Sequence, residues 1–105
     1  MPQKIKQGES NILPLLLANR SLVLYQLGHH KPALQDIRRS LEAGYPESTV
    51  YKLYTRQASI FSCLGQNEVA ERCLERARAA AGLLEGGERE VAERMVRDKA
   101  GDLRE

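Results

Sequence analysis

Lys52 and Arg56 stand four residues apart in YKLYTRQASIF, a stretch whose apolar residues recur at helical spacing. Four residues is about one helical turn, so the two cations share a face, and an ammonium beside a guanidinium suits a bound carboxylate. The other reactive residue types lack such a setting. His29 and His30 are adjacent between Gly28 and Pro32, where a tight polar turn accounts for them without special chemistry. Cys63 and Cys73 have neither CxxC spacing nor a histidine nearby, so they signal neither a zinc site nor a redox pair and read as small core residues. Ser21, Ser59 and Ser62 lie outside any G-x-S-x-G context, and phosphate-loop and dinucleotide patterns do not occur. The expectation is a non-enzymatic chain with no catalytic residue, no metal and no cofactor.

The elements that carry Lys52 and Arg56 follow from composition and periodicity. The chain has 105 residues, room for one domain and too little for a large enzyme fold. Its residues are 42% hydrophobic but 5% aromatic, so the core is built from Leu, Ala, Val and Ile, which suits helices packed side by side. Comparison of the chain with itself is more specific. Leu24, Leu27-Gly28, Ala33 and Ile37 recur as Phe61, Leu64-Gly65, Ala70 and Leu74, all at an offset of 37 residues. A period between roughly 20 and 50 residues marks stacked units that bury their apolar faces against a neighbour.

Within the first unit, Leu13, Leu16, Leu17, Leu24 and Leu27 predict a helix, capped by Ser10 or Asn11, with Pro14 in its opening turn and Gly28 at its end. A second helix begins near His30 and carries Ala33, Leu34, Ile37 and Leu41 on one face up to Gly44 and Pro46. In the second unit, Ser48 is the expected cap of a helix through Val50, Leu53, Tyr54, Ala58, Phe61 and Leu64. Asn67 is then the cap of a helix with Ala70, Leu74 and Ala77 inward and Gly82 closing it. Residues 85–105 hold seven acidic and five basic residues around a thin stripe of Val91, Met95 and Val96, which reads as a charged terminal helix with a polar outer face. The expected organisation is a flexible segment at 1–11, two helical hairpins at 12–46 and 47–82, and this last helix.

Net charge narrows the partners. The 16 basic and 14 acidic residues leave +2, far from the excess of a dedicated nucleic-acid binder, and Arg38, Arg39, Arg72, Arg76 and Arg78 have acidic neighbours and no interleaved aromatics. No apolar run of about 18 residues is present, and the opening MPQKIKQGESN has no signal-peptide core, so the expected address is cytosolic or nuclear, with no membrane and no nucleic acid as partner. Arrays of this kind commonly need about three units. Two units therefore point to weak self-association through an exposed end, with the apolar segment Ile12 to Leu17 as its face.

The segment ANRSLVLYQLGHHKPALQDIRRSLEAGYP resembles a tetratricopeptide repeat (TPR), with small residues at Ser21, Gly28, Ala33 and Ser40 and again at Ala58, Gly65, Ala70 and Ala77. The resemblance implies an all-α fold of antiparallel helix hairpins stacked as a short right-handed solenoid, closed by a capping helix. It covers roughly residues 13–82. It also implies a concave groove lined by first helices, on which Asn19, Lys52 and Arg56 fall. TPR proteins that bind the acidic C-terminal tails of heat-shock chaperones carry an Asn in ANR and a Lys-x-x-x-Arg in the next unit as part of a carboxylate clamp, and this sequence has both pieces. Leu22 and Tyr25 would add an apolar shelf for a side chain of such a tail. The further Lys and Asn of a full clamp have no match in residues 1–12. The combination of ANRSLVLYQLG, DIRRSLEAGYP and YKLYTRQASIFSCLGQ, with Gly44-Tyr45-Pro46 as its distinctive piece, is similar to the TPR segment of SET and MYND domain-containing lysine methyltransferases. That resemblance implies a regulatory portion, since 105 residues with two cysteines hold neither a SET domain nor a MYND zinc site.

Overall fold

The structure, a computed structural model, describes the backbone of residues 7–104 and the side chains of 12–103; the expected flexible segment falls in part outside them. Five helices make up the described residues: α1 (Gln7–Gln26), α2 (His30–Glu42), α3 (Val50–Cys63), α4 (Asn67–Gly82) and α5 (Gly86–Arg104). They fall into two units, one through Pro46 and one from Glu47. The fold is all-α and built of antiparallel hairpins.

In the first unit α1 packs on α2. The contact is possible because the buried positions are small: Ala18 and Ser21 on α1, Ala33 and Ser40 on α2, with Leu17, Ile37 and the ring of Pro14 as the larger pieces. Two side-chain bonds fix the antiparallel register. The Ser40 hydroxyl donates to the Pro14 carbonyl at 2.7 Å, and Arg20 reaches Asp36 from the facing helix. Pairs 14 with 40 and 20 with 36 straddle the turn at Gly28 almost symmetrically, as an antiparallel hairpin requires.

The turn shows that the 37-residue offset is structural. After α1 the His29 amide donates to the Leu24 carbonyl at 2.8 Å and the Gly28 amide to the Tyr25 carbonyl at 3.0 Å; after α3 the Gln66 amide donates to Phe61 at 2.8 Å and Gly65 to Ser62 at 3.0 Å. Both are Schellman endings, whose left-handed residue has φ of +85° at Gly28 and +78° at Gly65, where a Cβ would be strained. The first bonds of the following helices also correspond, Ala33 amide to His29 carbonyl at 3.1 Å and Ala70 to Gln66 at 3.0 Å. Pro32 precedes the first residue of α2 that must donate, so its missing N–H costs nothing.

In the second unit α3, α4 and α5 pack mutually. Tyr51, Ala77 and Ala81 meet Ala92 and Val96 of α5, with Tyr54, Ala80 and Leu84 at the margin. Farther along, Ala58, Ala70, Cys73 and Leu74 meet Ala100, with Phe61, Val69 and Leu103 beside them. Buried hydroxyls on α3 are satisfied inside the helix, Thr55 donating to the Lys52 carbonyl at 2.8 Å and Ser59 to the Thr55 carbonyl at 3.2 Å.

Several expectations need correction. The helix expected near residue 12 begins at Gln7, so Ser10 and Asn11 lie within it. The residues before α3 and α4 are Thr49 and Gln66, neither with a side-chain cap bond, in place of Ser48 and Asn67. On α1 the inward face is Pro14, Leu17, Ala18 and Ser21, whereas Leu13, Leu16 and Leu27 are exposed. On α5 the inward stripe is Ala92, Val96 and Ala100; Val91 and Met95 point outward, because small residues at four-residue spacing give the closer helix approach. Cys73 is buried as expected, but Cys63 is exposed. These faces predict a contrast measurable by urea denaturation: Val96→Ala costs about 2 kcal/mol, while Val91→Ala stays within about 0.5 kcal/mol.

Candidate functional site

Lys52 and Arg56 occupy the first two turns of α3, where the four-residue spacing sets them on one side of the helix. Lys52 is exposed and Arg56 half-buried. Buried Thr55 and Ser59 border that side on one edge and buried Leu53 and Ile60 on the other, so the two cations share the narrow arc between them. Asn19, Leu22 and Tyr25 belong to α1 and follow one another at three-residue steps. Asn19 and Leu22 are exposed, while Tyr25 is half-buried with its ring 6.1 Å from that of His30. The shelf expected of Tyr25 is thus partly taken up by the turn of its own hairpin.

The strongest polar contact was not foreseen from the sequence. Arg20 donates through Nε to Asp36 Oδ2 at 2.6 Å and through Nη2 to Oδ1 at 2.8 Å, a two-pronged fork. The Asp36 side chain is 4% exposed and that of Arg20 60%, so the carboxylate lies in the helix seam and the guanidinium closes it from outside. The hydrogen bonds from Arg20 hold the Asp36 carboxyl below its ordinary range, against the opposing effect of burial and with the nearby charges of Arg20 and Arg39 assisting. A signal for it existed in the sequence: Asp36 lies at the i+3 position from Ala33 and precedes Ile37, inside the apolar stripe, where a carboxylate requires a partner.

At the repeat offset, Arg20 and Asp36 correspond to Gln57 and Cys73 in the second unit. There the pair is uncharged. Burial pushes the Cys73 thiol up, partly opposed by Arg76 and Arg72, and the Gln57 Oε1 atom is buried with no hydrogen-bond partner.

The second unit also holds a groove that sequence reasoning missed, of about 460 Å3, with Arg78 on α4 and Glu93, Arg97 and Gly101 on α5 around Val96 and Ala100. Among the described residues no three His, Cys, Asp or Glu side chains gather as a metal would require, and no helix is long and apolar enough to cross a membrane.

The helical hairpins are compatible with the tetratricopeptide type, and the similar known proteins are of one kind. Over 60 residues, 57% of this chain, the sequence is 48% identical to the protein-lysine N-methyltransferase SMYD4 of Danio rerio, of which the match covers 8%. Over 62 residues, 59% of this chain, it is 36% identical to the SMYD4 proteins of Pongo abelii and Homo sapiens, again over 8% of each. The chain is similar to a segment of SMYD4. It spans about 8% of the length of these curated relatives. No protein-family model matches the chain, and no solved structure matches it.

The Arg20–Asp36 fork makes the first hairpin sensitive to acid, with a definite sign. Because the folded carboxyl lies below its ordinary value, its contribution is complete above about pH 4 and is lost as pH falls through the folded value. Circular dichroism should therefore show helix loss below about pH 4 that is smaller in Asp36→Asn than in the parent chain, the variant being already destabilised at pH 7.

Proposed function

We propose that this chain is a non-catalytic protein-binding segment built of helical hairpins, corresponding to a portion of a SMYD4-type lysine methyltransferase that lies outside its catalytic domain. The similarity of about 60 residues to SMYD4 carries this reading. The hairpins support it, since successive helices packed through small residues expose long faces with no reactive constellation among the described residues. A cytosolic or nuclear address goes with it. Incubated with a methyl donor and lysine-bearing protein substrates, the chain transfers no methyl group; transfer would overturn the reading.

The ligand of the segment is, in this proposal, an acidic extended peptide or C-terminal tail. Lys52 and Arg56 on one side of α3 support it, since a terminal carboxylate and acidic side chains accept charge-assisted bonds from both. On the first unit, Asn19, Leu22 and Tyr25 of α1 are proposed as a separate contact for such a tail. Calorimetric titration with a peptide ending in Glu-Glu-Val-Asp checks this. Binding should weaken by about tenfold or more in Lys52→Glu and Arg56→Glu and should fall as salt rises. Unchanged affinity in both variants, or no heat at all, excludes the acidic tail while leaving the non-catalytic reading in place.

A further inference from the structure

Opposite its packed face, α1 presents a second apolar face that none of the described residues of its own hairpin covers. Ile12 is 53% exposed, Leu16 58%, Val23 52% and Leu27 66%. At about 100° per residue these four and Asn19 fall within an arc of roughly 80°, and the buried Pro14, Leu17, Ala18 and Ser21 lie on the far side of the helix. Leu15 and Leu22 flank the stripe on one edge and Leu13 on the other, all exposed. A helix apolar on two sides is ordinarily buried on both.

Three features select the occupant. Between Ile12 and Leu27 the only charged residue is Arg20, whose guanidinium is held by Asp36, so the face offers no charge for an oppositely charged partner to read. The four apolar positions are spaced 4, 7 and 4 residues apart, a pattern that is the same in either direction. A two-fold axis needs a surface complementary to itself, and an antiparallel copy of this helix meets that condition. Ile12 then lies opposite Leu27 and Leu16 opposite Val23, each pair occurring twice, with Asn19 near the axis. An amide both donates and accepts, so Asn19 can pair with its symmetry mate, and a single polar residue in an apolar helix seam fixes register. Covering the exposed parts of these side chains on both copies buries on the order of 1,000 Å2, the lower end of specific interfaces.

We propose that two copies of this chain pair through the outer face of α1 in an antiparallel, two-fold arrangement, forming a weak, concentration-dependent dimer. This does not rest on the peptide reading; pairing covers Asn19, so a bound tail and a second copy would compete for it. The first experiment uses the full chain without peptide. Sedimentation or light scattering from roughly 10 μM to roughly 1 mM should show the mass rising from 11.8 kDa towards twice that value, and a constant 11.8 kDa would overturn the proposal. Leu16→Glu, an exposed position, should weaken pairing by at least about tenfold. Adding Val23→Lys to it should restore pairing, since each new glutamate then faces a new lysine across the axis; no recovery refutes the antiparallel geometry. A disulfide assay covers the case in which either variant loses helicity. In a Cys63→Ser background, Ile12→Cys chains mixed with Leu27→Cys chains should oxidise with glutathione disulfide mainly to the mixed dimer. A preference for like-with-like dimers would sink the arrangement.

Discussion

Two antiparallel helices lie close together only where the side chains between them are small, and that constraint governs both units of this chain. Ser21, Ala33 and Ser40 are fully buried between α1 and α2, as are Ala58 and Ala77 in the second unit. Close approach brings polar backbone within reach of side chains, so the Ser40 hydroxyl can bond the Pro14 carbonyl across the seam. It also brings Arg20 over Asp36. A buried carboxylate alone would cost more than the hairpin gains from a few small apolar contacts, and the guanidinium offsets that cost by meeting both oxygens. α5 follows the same rule with Ala92, Val96 and Ala100, extending small-residue packing beyond the part of the chain where the sequence visibly repeats.

The recurrence of small residues and glycines was legible in the sequence because it reflects backbone geometry that few residue types satisfy. Gly28 and Gly65 are the left-handed residues of two equivalent helix endings, and no alternative residue competes for that conformation without strain. The orientation of α1 was not legible for the opposite reason. Leucines surround the helix, so a count of apolar spacings fits several faces equally, and only the identity of α2 decides that Leu17 goes inward while Leu16 goes outward. In α5 the larger Val91 and Met95 drew attention from the alanines that make the contact. The positions before α3 and α4 misled because Ser48 and Asn67 are good capping types one residue away from where the backbone turns.

The candidate site was legible as residue types rather than as an assembled surface. Lys52 and Arg56 share a side of α3 for the reason that suggested them, the four-residue spacing. Tyr25 is different, because its ring rests against His30, a contact made by the hairpin turn and invisible to periodicity. The groove between α4 and α5 depends on two helices whose pairing no local pattern announces.

One correspondence has a consequence for how the chain comes apart. The positions filled by Arg20 and Asp36 in the first hairpin are filled by Gln57 and Cys73 in the second. The two hairpins therefore answer to different variables of the medium, the first to protons and dissolved ions, the second to oxidants that reach a thiol when the helices open. Cooperativity between them is then conditional: a solvent that loosens one hairpin and spares the other divides a single unfolding transition into two.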